Sequence, residues 1–429
     1  FNHFNVSATK PQCAQFIPAY ERDVIRPNVT GKFADLLMAT AQAPAMLLYL
    51  DNFNSAITNE DFENKTEPMR THLAKRGQAR NTLSKNKTAK GKKKEMGLNE
   101  NYAREIMELH TMGVDGGYTQ HDVTEAARVL TGWTIYPFAE GYNQKMHKML
   151  EKMEPTQLAA KGFVHNGDFL FAINRHDSKQ KTVLGKTFKS GGGYEEGVEL
   201  LNMLAHHPST AKFISKKLAT RFVSDTPPES LINKMADTFL KEDGDISKVL
   251  LTMVQSIEFW SEGALRAKTK SPFEYAISTL RALNADVSNA LPLFQALSKM
   301  GQKLYSYAAP TGFPDRAQYW INTGSLLNRM NFGLALASNR IRGVQVNLGE
   351  LNNHHEPEST EAALITYAQL MMPERNLQST YQRLTPVLNH QSFQEKLLEK
   401  EAVNKQELEP EMELDDNEVT RNELPRKNT

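Results

Sequence analysis

Between residues 98 and 113 the chain reads LNENYAREIMELHTMG, and five side chains in this run can ionise: Glu100, Arg104, Glu105, Glu108 and His110. Read as a helix, it places Asn101, Glu105 and Glu108 on one face, at i, i+4 and i+7. Oxygen donors spaced in this way could ligate a hard divalent cation. They could equally form a general acid/base pair, with Arg104 keeping one carboxylate ionised. The same residues also suit a solvated helix face, where Arg104 would bridge Glu100 and Glu108 through two i,i+4 pairs worth ~0.3–0.5 kcal/mol each. Residue types alone leave both readings open. His110 follows Glu108 by two positions, about 200° around a regular helix, so the two cannot share an ion there; it is expected to pack beside Leu109 and Met107.

Further candidate groups lie far apart in the chain. His3, in FNHF, is flanked by aromatic rings and reads as a buried imidazole or a metal ligand. Asp51 closes LLYLDN at the end of an expected helix, where the dipole disfavours an anion, so a facing cation is expected. His176 and Asp177, in NRHDSKQKTVLG, stand near Lys181 in a grouping that fits an anionic ligand, a metal site with His3 and Asp51, or a polar turn. His206 and His207 precede Pro208 and read as a helix-capping segment. GVDGGYTQHD lacks the alternating carboxylates and terminal glutamate of a calcium loop and reads as a glycine turn before a helix capped by Thr119 and Asp122. No nucleophile elbow, phosphate loop or dinucleotide fingerprint occurs. The single cysteine, Cys13, excludes an internal disulfide and any multi-cysteine zinc site.

These groups must be carried by helices. Apolar residues recur with helical period over 33–50, with a break at Pro44, and again over 119–132, 194–206, 209–222, 228–240, 245–258, 271–283, 323–337 and 359–371. Expected caps are Asn99, Thr119, Ser209, Asp245 and Ser271. Gly113 should end the first helix. Only FVHNGDFLFAINRHD alternates like strands, with Phe163, Phe169, Phe171 and Ile173, and predicts one hairpin. The expected fold is mainly α, a large helical domain with one small β-hairpin.

The 429 residues carry a formal net charge of +1, so no global attraction to nucleic acid or membrane follows. No apolar run is long enough to span a bilayer. Charge is nevertheless uneven. Residues 69–94 hold ten Lys or Arg and no acid, a composition that predicts a solvated, flexible insertion. It lacks the interleaved aromatic residues that stacking on nucleic acid needs, and an acidic protein partner suits it better. From Glu401 the tail carries nine acidic residues against four basic. The chain opens at Phe1 in what reads as the middle of a folded segment, so residues upstream are expected, a signal peptide among them.

The segment NENYAREIMELHTMGVDGGYTQHDVTEAARVLTGW resembles the signature of the domain of unknown function 1800 family, a bacterial group often bearing export signals. FNHFNVS, PAMLLYLDN, RHDSKQKTVLG, HHPSTAKFISKKLATRFVSDTPP, KSPFEYAISTLRAL and TGFPDRAQYWINTGSLLNRMNF follow in the family's order. The resemblance implies one helical domain over residues 1–340, interrupted by the basic insertion at about 64–97. A helical extension over 341–400 and a disordered acidic tail over 401–429 would follow. It further implies a periplasmic or extracellular location, and no known reaction. Two functions then compete. In the first, Asn101, Arg104, Glu105 and Glu108 serve a cation-assisted or carboxylate acid/base hydrolase acting on an envelope or extracellular polymer. In the second, the same ionisable residues form a structural salt-bridge network in a non-enzymatic binding or assembly protein.

Overall fold

The computed structural model describes residues 1–57, 97–137 and 144–388. The basic segment 69–94 and the acidic tail from Glu401 lie outside them. Two compact units divide the chain: Phe1–Glu274 with Leu293–Asn331, and Tyr275–Pro292 with Phe332 onward. The fold is mainly α. Among the described residues no helix is long and apolar enough to cross a membrane.

In the first unit the periodic segments form helices close to their expected limits. Phe33–Gln42 and Pro44–Tyr49 are separate because Pro44 starts a new helix, at the position where a missing N–H costs nothing. Glu229–Lys241 buries Leu231, Ile232, Met235, Ala236 and Phe239, one stripe at 3–4-residue spacing. It packs between Pro208–Phe222 and Ile246–Gln255. Thr119 and Asp122 make a reciprocal capping box on Gln120–Val129, and Asp245 caps the helix after it. The helix expected to open at Ser209 starts one residue earlier: His207 accepts the Ser209 N–H at 3.1 Å, and Pro208 takes the first turn.

The expected hairpin forms from Val164–Asn166 and Phe169–Phe171, and Trp133–Ile135 adds a third antiparallel strand beside it, pairing Trp133 with Phe171. The central strand reads FLF without polar alternation because both its faces are covered. Phe169 and Phe171 enter the main core, while Leu170 joins a smaller cluster with Leu150, Leu158 and Phe163. A second hairpin, Lys181–Val183 with Lys186–Phe188, turns through Leu184 and Gly185, both at positive φ. In the second unit, Asp286–Val287 pairs with Val344–Gln345, and the helices Thr360–Met371 and Gln378–Leu388 pack together.

Candidate functional site

The helix that begins at Glu100 changes character halfway. Asn99 caps it by accepting the Asn101 and Tyr102 N–H groups, and Tyr102 and Ala103 are buried. From Ile106 to Met112 it is a π-helix, ended by Gly113 at φ 80°. The wider turn bonds i to i+5, and Glu108 and His110 stay on opposite sides of it. Thr111 supports the turn by donating its hydroxyl to the Ile106 carbonyl at 2.7 Å. His110 points into the core, 2% exposed, with its ring 5.1 Å from that of Phe4 and its Nε2 without a hydrogen-bond partner among the described residues. Burial, assisted by the Lys217 charge, lowers its pKa to about 3. It is therefore a neutral core histidine and not a cation stabilised at a helix end.

Arg104 does not bridge the glutamates. Its guanidinium donates to Gln120 at 2.6 Å, and Gln120 in turn donates to Glu100 at 2.8 Å, so the two helices are tied through an amide. Thr124 also donates to Glu100, at 2.9 Å. Glu108 accepts the Tyr118 hydroxyl at 3.1 Å. Asn101 is exposed. Glu105 is half-buried, and its carboxylate has no hydrogen-bond partner among the described residues. Burial first, and then the neighbouring Glu108, push its pKa above the usual carboxyl range, against the pull of Arg104.

The remote groups take other partners. His3 donates from Nε2 to the His110 carbonyl at 3.0 Å, with its ring edge-on to Phe4 at 4.5 Å. Asp51 is met by the expected cation, Lys10 at 2.7 Å, on the surface, and its backbone is left-handed at φ 62°. His176 and Asp177 lie in a third place. His3, Asp51 and His176 are not brought to one centre, and among the described residues no three His, Cys, Asp or Glu side chains are placed to hold a metal ion.

Around His176 and Asp177 the molecule builds a buried ionic network. Lys181, 1% exposed, donates to Glu196 at 2.5 Å and to the Asp177 carbonyl. His176 donates from Nδ1 to the Thr131 carbonyl at 2.9 Å, and its Nε2 faces Lys181 at 3.4 Å and Glu196 at 3.3 Å. The Gly192 N–H completes the Glu196 carboxylate at 2.9 Å. Asp177 accepts from Arg128 at 2.8 Å and from the Lys179 N–H at 2.9 Å. Arg128 also pairs with Glu125 at 2.6 Å, whose other oxygen takes the Thr182 N–H at 2.9 Å. Burial raises Glu196 and Asp177, but hydrogen bonds from His176 and Lys181 to the first, and from Arg128 to the second, outweigh it and leave both carboxyls low. Arg128, Glu125, Glu196 and Thr131 carried no signal in the sequence, since their pairing depends on helices that meet only in the fold.

Beside the network the signature segments interlock. Arg175 donates to the Ser55 carbonyl at 3.2 Å, the Ile57 N–H to the Arg175 carbonyl at 2.9 Å, and the Asp177 N–H to Thr131 Oγ1 at 2.8 Å. Gly132, at φ 83°, sits so tightly on the Ala172 carbonyl that a Cβ would lie 2.8 Å from its oxygen. Asn52 donates to the Trp133 carbonyl at 3.0 Å, so YLDN, LTGW and RHD are parts of one junction.

The arrangement defines a class: a mainly helical protein with a buried ion cluster at the meeting point of its sequence motifs. The chain belongs to the family described as "Protein of unknown function (DUF1800)", which matches residues 1–414. No curated protein and no solved structure matches it.

Proposed function

We propose that the chain is a non-enzymatic binding or assembly protein in which the ionisable residues around His176 and Asp177 act as a structural network. One observation carries this reading: Lys181, His176 and Glu196 are buried and bonded to one another, closed off from solvent by their neighbours among the described residues. Removing one member of such a cluster strands its counter-charge and costs about 3–5 kcal/mol, whereas an apolar replacement of both is close to neutral. Lys181→Met should therefore be strongly destabilised in urea denaturation, and Lys181→Met with Glu196→Leu should recover most of the loss. The reading fails if the parent turns over an ester, phosphate or glycoside and the folded double variant does not. The basic segment 69–94 is the proposed contact for an acidic partner. A periplasmic or extracellular location is proposed on the family resemblance alone, to be checked by cell fractionation.

A second reading is supported by Glu105. A half-buried carboxyl without a partner, raised by burial and by Glu108, has the protonation behaviour a general acid needs. Under this reading Glu105 and Glu108 would serve a hydrolase acting on an envelope or extracellular polymer, with Arg104 setting their charge and Asn101 at the rim. Glu108→Gln should lower the Glu105 pKa, read by carbon-detected NMR titration. Glu105→Gln should abolish any turnover while leaving the fold intact; unchanged turnover in that variant removes this reading.

A further inference from the structure

Away from both sites, the segment 301–320 of the first unit folds around an open cavity of about 320 Å³, within the size range of small-molecule pockets. Its wall is aromatic. Tyr307 and Phe313 have ring centroids 4.8 Å apart at 50°, Phe313 and Trp320 are 5.9 Å apart at 39°, and Tyr319 stands at the mouth, 56% exposed. Trp320 is a fixed floor: its indole N–H donates to the Pro314 carbonyl at 3.0 Å, and its carbonyl accepts from Ser325 at 2.5 Å. The Tyr307 end of the wall is pinned too. Asn5 donates to the Tyr307 and Ala309 carbonyls at 3.1 and 2.8 Å, and Tyr49 to the Ala308 carbonyl at 2.7 Å. The cup is therefore preorganised, which reduces the ordering cost of binding.

Its ammonium and phenols are unspent, while Ser306 donates to the Leu304 carbonyl at 3.2 Å and can still accept. Lys303 lines the cavity, and its ammonium has no ion-pair partner among the described residues. Asp315, the acidic residue nearest in sequence to the aromatic wall, is occupied by Arg221 at 3.2 Å. The hydroxyls of Tyr307 and Tyr319 also have no protein hydrogen-bond partner among those residues. Phe313 is tilted to both Tyr307 and Trp320, so neither pair can sandwich a flat ring. A puckered ring suits a tilted cup, resting its C–H face on one aromatic ring while its hydroxyls meet the phenols and Ser306. The lone cation asks for a carboxylate on that ring.

We infer that this cavity binds an acidic sugar, a pyranose bearing a carboxylate, with Tyr319 and Phe313 as stacking faces and Lys303 as the anion contact. The inference goes beyond the proposed function and uses none of the residues on which that reading rests, so its failure would leave the network unaffected. The test is ligand-observed NMR with the full chain and four probes: methyl glucuronide, methyl glucoside, benzoate and triproline. Methyl glucuronide should bind best. Lys303→Met should weaken it about fivefold, to the level of methyl glucoside, and Tyr319→Ala about tenfold. Both side chains are exposed, and circular dichroism should show both variants folded. Preference for benzoate or triproline would overturn the assignment, as would absence of binding or binding indifferent to both substitutions.

Discussion

His110 is neutral in the fold, and its lowered pKa makes a definite demand on stability. The imidazole protonates in the unfolded chain below its ordinary 6.5 but resists protonation in the core down to about 3. Its contribution is complete above pH 6.5 and drains as pH falls toward 3, with about 2 kcal/mol gone by pH 5. His3, lowered well below the same ordinary value by burial and by the Lys217 charge, acts with the same sign. In urea denaturation at pH 7 and pH 5, His110→Leu should lose about 2 kcal/mol less than the parent over that interval. Asp177 and Glu196 act at lower pH. Both carboxyls are held below their ordinary values, so their stabilisation is present above about pH 4 and is lost as pH falls through their folded values.

Among the elements, the turn at Gly132 is a tight joint of the junction. An alanine there would have to adopt a left-handed backbone and press on the Ala172 carbonyl, so Gly132→Ala should cost about 2 kcal/mol or more, read from the denaturation midpoint. Thr119→Ala, which removes half of a capping box, should cost about 1 kcal/mol. The contrast follows what the sequence made legible. Caps and apolar stripes are local, so Thr119, Asp245 and the helix through Met235 could be read from neighbours three and four residues away. The π-turn from Ile106 could not, because its i to i+5 bonding follows from how His110 and Met112 pack, not from the order of residues. Lys181 with Glu196 was hidden for the same reason, and Arg104 was misread because a residue on another helix, Gln120, competes for it.

For the molecule as a whole, the residues that flank the basic segment matter more than its composition. The Ala56 N–H donates to the Gly97 carbonyl at 3.3 Å, and the Asn99 N–H to Ser55 Oγ at 3.3 Å, so the two stretches that flank the segment are bonded side by side. Replacing residues 58–96 by a short Gly/Ser linker should preserve the far-UV circular dichroism spectrum and the thermal midpoint within a few degrees, while removing binding to an acidic partner. A collapsed fold in that variant would show that the segment is a structural part of the unit.

The junction also constrains the route by which the native state is reached. Ser55 and Arg175 are separated by 120 positions, and their bond can form only after a long stretch of polypeptide has closed on itself. Helices can appear early, since each needs only nearby residues, but the step that locks the signature segments must wait for a distant encounter. Refolding should therefore show fast gain of ellipticity followed by a slower phase in Trp133 fluorescence, and the shortened linker should accelerate only the second.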